Sequence, residues 1–532
     1  MKKTKIYLQK FGRLILLPIF VTGFFFTSCE EEVIQLEPFN QISETVAFTS
    51  PEKIHLAVMG MYQAAQIGAF ETAPGTFGLR GYPFGAAFVQ QGDARGEDVV
   101  NIFAFYAFTY QGTYGVTTAN NVWYWIDTYR LINRINIVID GITDAIANDI
   151  IEADQGNSYL AEAHLMRAAA YHELMVFFAS PYRHTPNADH YGVPYHKTPF
   201  TTPAAIEEGL TVGRHTAAQC YEWILEDLDF AEQHLPLKSQ RTGNQRVSRA
   251  TKGAAAAYKV RVHQHMWNMP GVIEHGRKFI DGVYAGHYQL GDEPWDVFYN
   301  NYGSGEYIFG MESSNTNYPS VNGALASMYK RRLLVSHSPI NWRNPFWLED
   351  DKRRDEEHMV INDNGVMFTD KYKRDQDYDD LSPMMRYAEV ILNLAEAYAR
   401  ENQVAEALTY LNMVRDRALA DPATQSYSAG DFADNLELLE AILNERRIEL
   451  AMEGRRWPDI NRLQHCPHFP ISGVPAKYAN SRPAAEHFEF DGPEIPLDIE
   501  AIPYTDRRFL WPLPQIELNA NPLMRDQQNP GW

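Results

Sequence analysis

Apolar residues recur at helical spacing in several windows of the chain, and few windows show the alternation of a half-buried strand. Leu131, Ile135, Val138 and Ile139 draw one stripe in a segment from about 118 to 140. A second helix is expected over about 157 to 180, where Ala161, Ala163, Ala168, Ala169 and Ala170 make it slim enough for close approach by a neighbour. Pro181 should stop it. Ile224, Leu228 and Ala231 mark a third helix over about 215 to 235, and the run Ala254 to Ala257 a fourth over about 249 to 267, with Pro236 and Pro270 read as their ends.

Further along, 386–400 and 402–418 predict a helical hairpin with Val404, Ala407, Leu408, Leu411, Val414 and Ala418 on one face. The hairpin spans 33 residues, close to the 34-residue tetratricopeptide unit whose two helices pack antiparallel and stack on the next pair. A last helix is expected over about 435 to 453. The fold class is therefore all-α: tetratricopeptide-like helix pairs forming a superhelical scaffold, with long irregular insertions and few short strands.

The insertions, 70–117, 181–212, 291–385 and 455–532, are rich in Gly, Pro, Asn and aromatics. Loops this long in a compact protein are usually functional. From Ile102 to Trp125 nine of 24 residues are aromatic, against 13% for the chain, so this tract supplies ring surface beyond the ordinary. Trp123, Trp125 and Tyr129 sit at helical spacing and are expected to pack, whereas Tyr110 and Tyr114, beside Gly112 and Gly115, are candidate loop platforms for a ligand.

Composition changes the picture little: 45% apolar and 22% charged residues are ordinary for a globular protein. Charge changes it more. A net charge of −21 and Lys and Arg scattered among acids leave no footprint for phosphate neutralisation, so nucleic acid is not an expected partner. Three cysteines, Cys29, Cys220 and Cys466, build no disulfide framework.

The first residues set a compartment. Lys2, Lys3, Lys5, Lys10 and Arg13 precede an apolar run from Leu14 to Phe26, the pattern of a secretory signal over 1–28. The run is shorter than a spanning helix of about 20 apolar residues and is interrupted by Pro18. It ends in Thr27-Ser28-Cys29, which resembles the lipobox of bacterial lipoproteins and implies acylation of Cys29 and a bilayer anchor. Glu30, Glu31 and Glu32 fit a solvated tether; they also resemble a surface-export signal of Bacteroidetes lipoproteins, which implies a body outside the outer membrane.

A series of segments in order resembles the SusD/RagB family: Tyr129 to Asn136, Ala161 to Ala168, Arg386 to Val390 with Leu394 to Ala397, Leu411 to Arg415, then Glu445-Arg446-Arg447-Ile448-Glu449-Leu450, Glu453-Gly454-Arg455-Arg456-Trp457 and Asp459. The closing Trp511-Pro512-Leu513-Pro514, Glu517, Asn521 and Asn529-Pro530-Gly531 continue it, with Trp532 where a tyrosine is more usual. The resemblance covers about 29–532, with an N-terminal part to about 300 and a C-terminal part from about 301. It implies a surface-exposed binding protein that holds a glycan against a SusC-like TonB-dependent transporter. The arginines and glutamates of the 445–456 block are assigned to folding, placed for i,i+4 pairing and for bidentate bonds to helix-end carbonyls or carboxylates.

Sugars present apolar C–H faces ringed by hydroxyls, so a binder needs exposed aromatics and a few orienting polar groups. Gly75 to Gly85, containing Tyr82, and Gly92 to Asp98, containing Asp93 and Arg95, are glycine-rich loops without the Gly-Lys-Ser/Thr ending of a phosphate loop. The family's shallow sites imply these loops and the region after a strand at Glu306 to Phe309. There Asn317 and Tyr318 follow, and Asn341 and Trp342 lie further on; Tyr318 and Trp342 are the two strongest single candidates.

Catalysis has little support, because no Gly-x-Ser-x-Gly elbow, His-Glu-x-x-His helix or Cys-x-x-Cys pair is present. Asp375-x-Asp377-x-Asp379 begins like a calcium loop but carries Asp380 at the sixth position and Arg386 at the twelfth. No metal or cofactor is expected. The alternatives to glycan capture are peptide or other nutrient capture in the same complex, a surface glycoside hydrolase, and a structural tetratricopeptide-type adaptor.

Overall fold

The computed structural model describes residues 44–532 apart from 74, 75, 301 and 319. The expected secretory signal over 1–28, Cys29 and the expected tether at Glu30–Glu32 lie outside the described residues. Thr45 to Trp532 form one compact unit, and no helix among the described residues is long and apolar enough to cross a membrane.

Eleven helices matter here. They are α1 (Pro51–Ile67), α2 (Ala86–Ala94), α3 (Ala119–Ala147), α4 (Ala153–Phe178), α5 (Ala217–His234), α6 (Lys252–His265), α7 (Met269–Ile280), α8 (Tyr387–Arg400), α9 (Val404–Arg415), α10 (Asn435–Glu449) and α11 (Arg456–Leu463). Local chemistry starts many of them. Ser50 accepts from Lys53 N ahead of Pro51, Thr216 and Gln219 make a capping box, Thr251 accepts from Ala254 N, and Asp434 accepts from Leu436 N and Glu437 N.

Apart from α2 and α11, the helices pack in series, each against the next: α1 on α3, α3 on α4, α4 on α5, α5 on α6, α6 on α7, α7 on α8, and α8 on α9 and α10. This is the expected stacking of tetratricopeptide-like pairs. The alanine run of α6 is fully buried and so is most of α4, as close helix approach requires.

One expectation is corrected. Pro270 does not end the fourth helix but opens α7: it stands in the first turn, where its missing N–H is not needed, and Asn268 caps that turn by accepting from Gly271 N.

Strands are short and confined to the insertions: β1 (Ala69–Ala73), β2 (Thr76–Leu79), β3 (Val99–Asn101), β4 (Tyr307–Met311), β5 (Val335–His337), β6 (Val360–Asp363), β7 (Val366–Thr369) and β8 (Ser382–Arg386). The first two form a hairpin, β3-β5-β7-β6 form an antiparallel sheet, and β4 pairs antiparallel with β8, pairing Tyr307 with Arg386. The strand expected at Glu306 to Phe309 is thus present as β4.

The C-terminal residues close the far end of α4. Trp511 N donates to Phe177 O at 3.3 Å, and Asn529 Nδ2 donates to Phe178 O at 2.8 Å and Trp511 O at 2.7 Å. The Trp511 ring lies 4.7 Å from Phe177 and 5.5 Å from both Tyr124 and Phe178, a buried aromatic cluster. Arg214 reaches Gln527 O and Asn529 Oδ1, both at 2.8 Å.

Candidate ligand-binding site

A cleft of about 330 Å³, lined by polar side chains together with Met59, Tyr62 and Met311, opens beside α1. Met59, Tyr62, Gln63 and Gln66 line it from one helix face, since residues three, four and seven apart share a side. The segment leaving β4 forms the opposite wall with Glu312, Ser313, Ser314 and Asn317, and Gln245, Ser248 and Arg249 complete it.

Ser314 and Asn317 exchange backbone hydrogen bonds at 3.1 and 3.0 Å, a tight turn that aims Asn317 at α1. Gln66 Nε2 donates to Ser313 Oγ at 2.7 Å and Asn317 O at 3.0 Å, while Gln63 Nε2 donates to Asn317 Oδ1 at 3.2 Å. Beneath, Glu162 is fully buried and accepts from Arg249 Nε at 2.9 Å, Arg241 Nη2 at 2.8 Å and Tyr62 OH at 2.7 Å. Burial, and then the Glu162 charge, hold the Tyr62 hydroxyl far above its usual pKa, so it stays a donor.

Rings and guanidinium groups flank the turn. Tyr318 is half-buried, with its ring 5.4 Å from that of Tyr378 at 49°. Arg331 bonds the Tyr378 hydroxyl and lies 5.7 Å from its ring. Arg332 anchors the same loop through Val321 O at 2.6 Å and Asn322 Oδ1 at 2.9 Å. Arg80 lies 4.7 Å and Arg332 5.8 Å from the Phe105 ring. The arrangement can stack a flat apolar face and hydrogen-bond a ring of hydroxyls.

Of the residues proposed from sequence, Asn317 lines the cleft and Tyr318 adjoins it; the other seven are inside the protein. Tyr82 is 3% exposed and Asn341 is 0%. Asp93 accepts from Tyr329 OH at 2.6 Å and Gly454 N at 2.8 Å, and burial pushes its pKa up to about 7. The Arg95 guanidinium stacks 3.6 Å from the Trp457 ring and donates to Phe509 O; burial draws its pKa down to about 10. Tyr110 OH donates to Tyr478 O at 2.9 Å, and Tyr114 OH to Arg508 O. Trp342 is 6% exposed, packed 5.2 Å from Trp347 and 4.4 Å below Arg354.

These seven are corrected from platforms to core for one reason. Alanine-rich helices pack closely but supply little side-chain volume, so the aromatic insertions fold inward to fill the domain. Gln63, Tyr62 and Gln66 on α1 were missed, the last of them 2% exposed and so part of the cleft's floor, and Tyr378 is buried behind Tyr318. The signal for the first three was there: Ser50-Pro51 opens a helix whose face repeats polar side chains at three- and four-residue spacing.

The 445–456 block is structural, but its partners lie across the fold. Arg446 bonds Asp459 at 2.8 Å, Arg447 bonds Asp98, Arg456 bonds Glu97, and Arg455 approaches Glu173 at 3.6 Å. Glu445, Glu449 and Glu453 meet Arg353, Arg386 and Lys371. Burial is what removes the intrahelical option: side chains facing the interior meet neighbouring elements rather than their own helix face. The acidic 375–380 stretch is tied internally, with Arg374 on Asp379 at 2.7 Å and Asp380 accepting from Lys373 N and Arg374 N at 3.0 Å. Among the described residues no group of three His, Cys, Asp or Glu is placed to hold a metal ion.

Comparison with known proteins agrees with the architecture. A family model described as "Starch-binding associating with outer membrane" matches residues 36–263. One described as "SusD family" matches residues 354–532. The SusD-like protein P25 of Formosa agariphila is 24% identical over 489 residues, taking in 82% of this chain and 87% of that protein. A SusD superfamily protein from Bacteroides fragilis superposes with a TM-score of 0.71 at 27% identity, over 90% of this chain and 99% of that one. A SusD-like carbohydrate binding protein from Bacteroides vulgatus shares the fold, with a TM-score of 0.67 at 19% identity over 89% and 97%. With both ends of the chain matched by models of this kind and helix pairs stacked as in the solved relatives, the chain belongs to the SusD/RagB family.

Proposed function

We propose that this protein captures oligosaccharide chains at the outer face of the outer membrane, held there by acylated Cys29, and delivers them to a SusC-like TonB-dependent transporter without making or breaking bonds. The observation that carries the reading is the cleft. It sets amide and hydroxyl groups of Gln63, Ser313, Ser314 and Asn317, over the buried Gln66, next to the half-buried Tyr318 that Tyr378 backs, the combination a pyranose face and its hydroxyls require. The family description as starch-binding supports the glycan class.

The cleft's acid content supports binding over hydrolysis. Two-carboxylate hydrolysis needs an acid and a base or nucleophile facing one bond. Glu312 is the one acid among the lining residues, and its Oε1 already accepts from Asn244 Nδ2 at 2.8 Å.

The test is calorimetric titration of the protein with a polysaccharide and oligosaccharide panel that includes maltooligosaccharides, with reducing ends assayed in parallel. Binding that weakens in Tyr318→Ala, with no release of reducing ends, is the expected result. Binding of digested protein but of no sugar would replace the glycan with a peptide. Release of reducing ends that stops on replacing Glu312 would make the protein a hydrolase. Loss of no ligand in Tyr318→Ala and Gln66→Ala, with transporter co-purification intact, would leave an adaptor.

A further inference from the structure

A second cavity, of about 210 Å³, lies on a different part of the scaffold. Helix α3 presents Trp125 and Tyr129 to it, one turn apart, and the segment after Pro194 presents His196 and Phe200. The four rings are contiguous: Trp125 to Tyr129 at 4.7 Å and 46°, Tyr129 to His196 at 6.0 Å and 68°, His196 to Phe200 at 4.9 Å and 76°. They form a bent wall rather than a filled stack. Glu517, from the C-terminal segment, stands at its edge half-buried and accepts from Trp125 Nε1 at 3.3 Å.

Most other polar groups around the cavity are already used. Tyr129 OH donates to Pro194 O at 2.8 Å. Asn133 Oδ1 accepts from Phe200 N at 2.7 Å. Asn136 donates to His196 O and Thr198 O at 3.0 and 3.3 Å and accepts from Arg167 at 2.9 Å. These bonds fix the wall in place and leave one carboxylate facing an aromatic, largely apolar volume.

We infer that this cavity binds a small organic cation with a methylated ammonium head, seated against the half-buried Tyr129, His196 and Phe200 rings, with the buried Trp125 behind them and Glu517 as its counter-charge. Ring faces attract a cation within about 6 Å, and a methylated head fills apolar space without asking for the hydrogen-bond acceptors a primary ammonium needs. A neutral ligand of the same shape would forgo the charge term and still bury Glu517, which is unfavourable for an ionised carboxylate. Burial draws the His196 pKa down to about 4, so its ring is neutral near pH 7 and does not repel the guest. The site shares no lining residue with the cleft beside α1 and stands independently of the glycan reading.

The test titrates the whole chain at pH 7 with choline and, separately, with the neutral isostere 3,3-dimethylbutan-1-ol. Choline is expected to bind at least about tenfold more tightly than the alcohol, a difference of about 1.4 kcal/mol. Glu517→Gln should remove that preference, and Gly209→Ala should abolish binding, because a Cβ there would stand 2.5 Å from the Phe200 ring and displace that part of the wall. Far-ultraviolet circular dichroism and the melting temperature of each variant establish that it is folded. Equal affinity for the alcohol, no binding of choline by folded wild type, or choline affinity unchanged in Glu517→Gln would each overturn the assignment. Glycan binding should be unaltered in both variants.

Discussion

Arg261 on α6 and Glu389 on α8 meet through two hydrogen bonds, Nε to Oε1 at 2.9 Å and Nη2 to Oε2 at 2.7 Å, with side chains 1% and 3% exposed. The pair is one link in a buried chain of charges. Arg446 touches Glu389 and Asp459, Arg462 touches Asp459 and Glu396, and Arg400 touches Glu396. Each charge is desolvated, so each depends on its partner. The arginines, led by Arg261 and then Arg446, hold the Glu389 carboxyl well below the usual range against the upward push of burial.

Removing half of that pair should therefore hurt more than removing both. Glu389→Gln leaves Arg261 buried without its counter-charge and is expected to lower stability by about 3–5 kcal/mol. Arg261→Met with Glu389→Leu should recover most of the loss. Denaturant midpoints of the two variants and wild type measure it, and a double variant no more stable than the single one would contradict the argument.

Asp93 gives a pH signature of opposite sign to the paired carboxylates. Its pKa is about 7 in the fold, against about 3.9 in an unfolded chain. Its contribution is thus complete below the unfolded value and is lost as pH rises through about 7. The stability of Asp93→Asn relative to wild type should rise between pH 4.5 and 7.5 and then level off, on the order of a three-unit window set by those two values. Urea unfolding of both proteins across that range reads it, and the difference cancels every other titrating group.

Tyr318 and Trp342 looked alike in sequence and should now behave differently. Tyr318→Ala is expected to weaken glycan binding about tenfold, or about 1.4 kcal/mol, with the melting temperature unchanged. Trp342→Ala empties a buried site beside Trp347 and should destabilise by about 3–5 kcal/mol, leaving the affinity of the folded fraction intact. Calorimetric titration with a bound oligosaccharide and thermal unfolding separate the two outcomes.

Gly454 pairs with Gly92 where α2 crosses the family block. Gly454 has φ +74°, and an added Cβ would stand 2.9 Å from Val89 Cα and 3.0 Å from Val89 O. Gly454→Ala should cost about 1–3 kcal/mol through backbone strain and overlap, read as a lowered denaturant midpoint with cleft binding preserved.

The scaffold was legible because helix pairing is local: the alanine runs of α4 and α6 and the 386–418 hairpin announce their own packing within a few turns. The site was less so. Whether an aromatic in an insertion faces solvent depends on what arrives from far away, and Tyr110 hydrogen-bonds a carbonyl 368 positions along. Arg447 likewise finds Asp98 rather than a neighbour on its helix. Asn317 and Tyr318 fall at the candidate cleft because they follow the expected strand closely, through a short turn. Gln63 and Gln66 went unread because amides on a helix face look like ordinary solvated polarity until a second wall stands opposite.

Phe177 and Phe178 receive their last partners from Trp511 and Asn529, the latter 351 positions later in the chain. Until residues 511–529 are made, the aromatic end of α4 has Tyr124 and Trp125 of α3 against it, and the side that Trp511 takes stays open. Truncation before Trp511 would leave that side of the cluster open for good, the kind of apolar surface that makes an incompletely folded chain prone to aggregate.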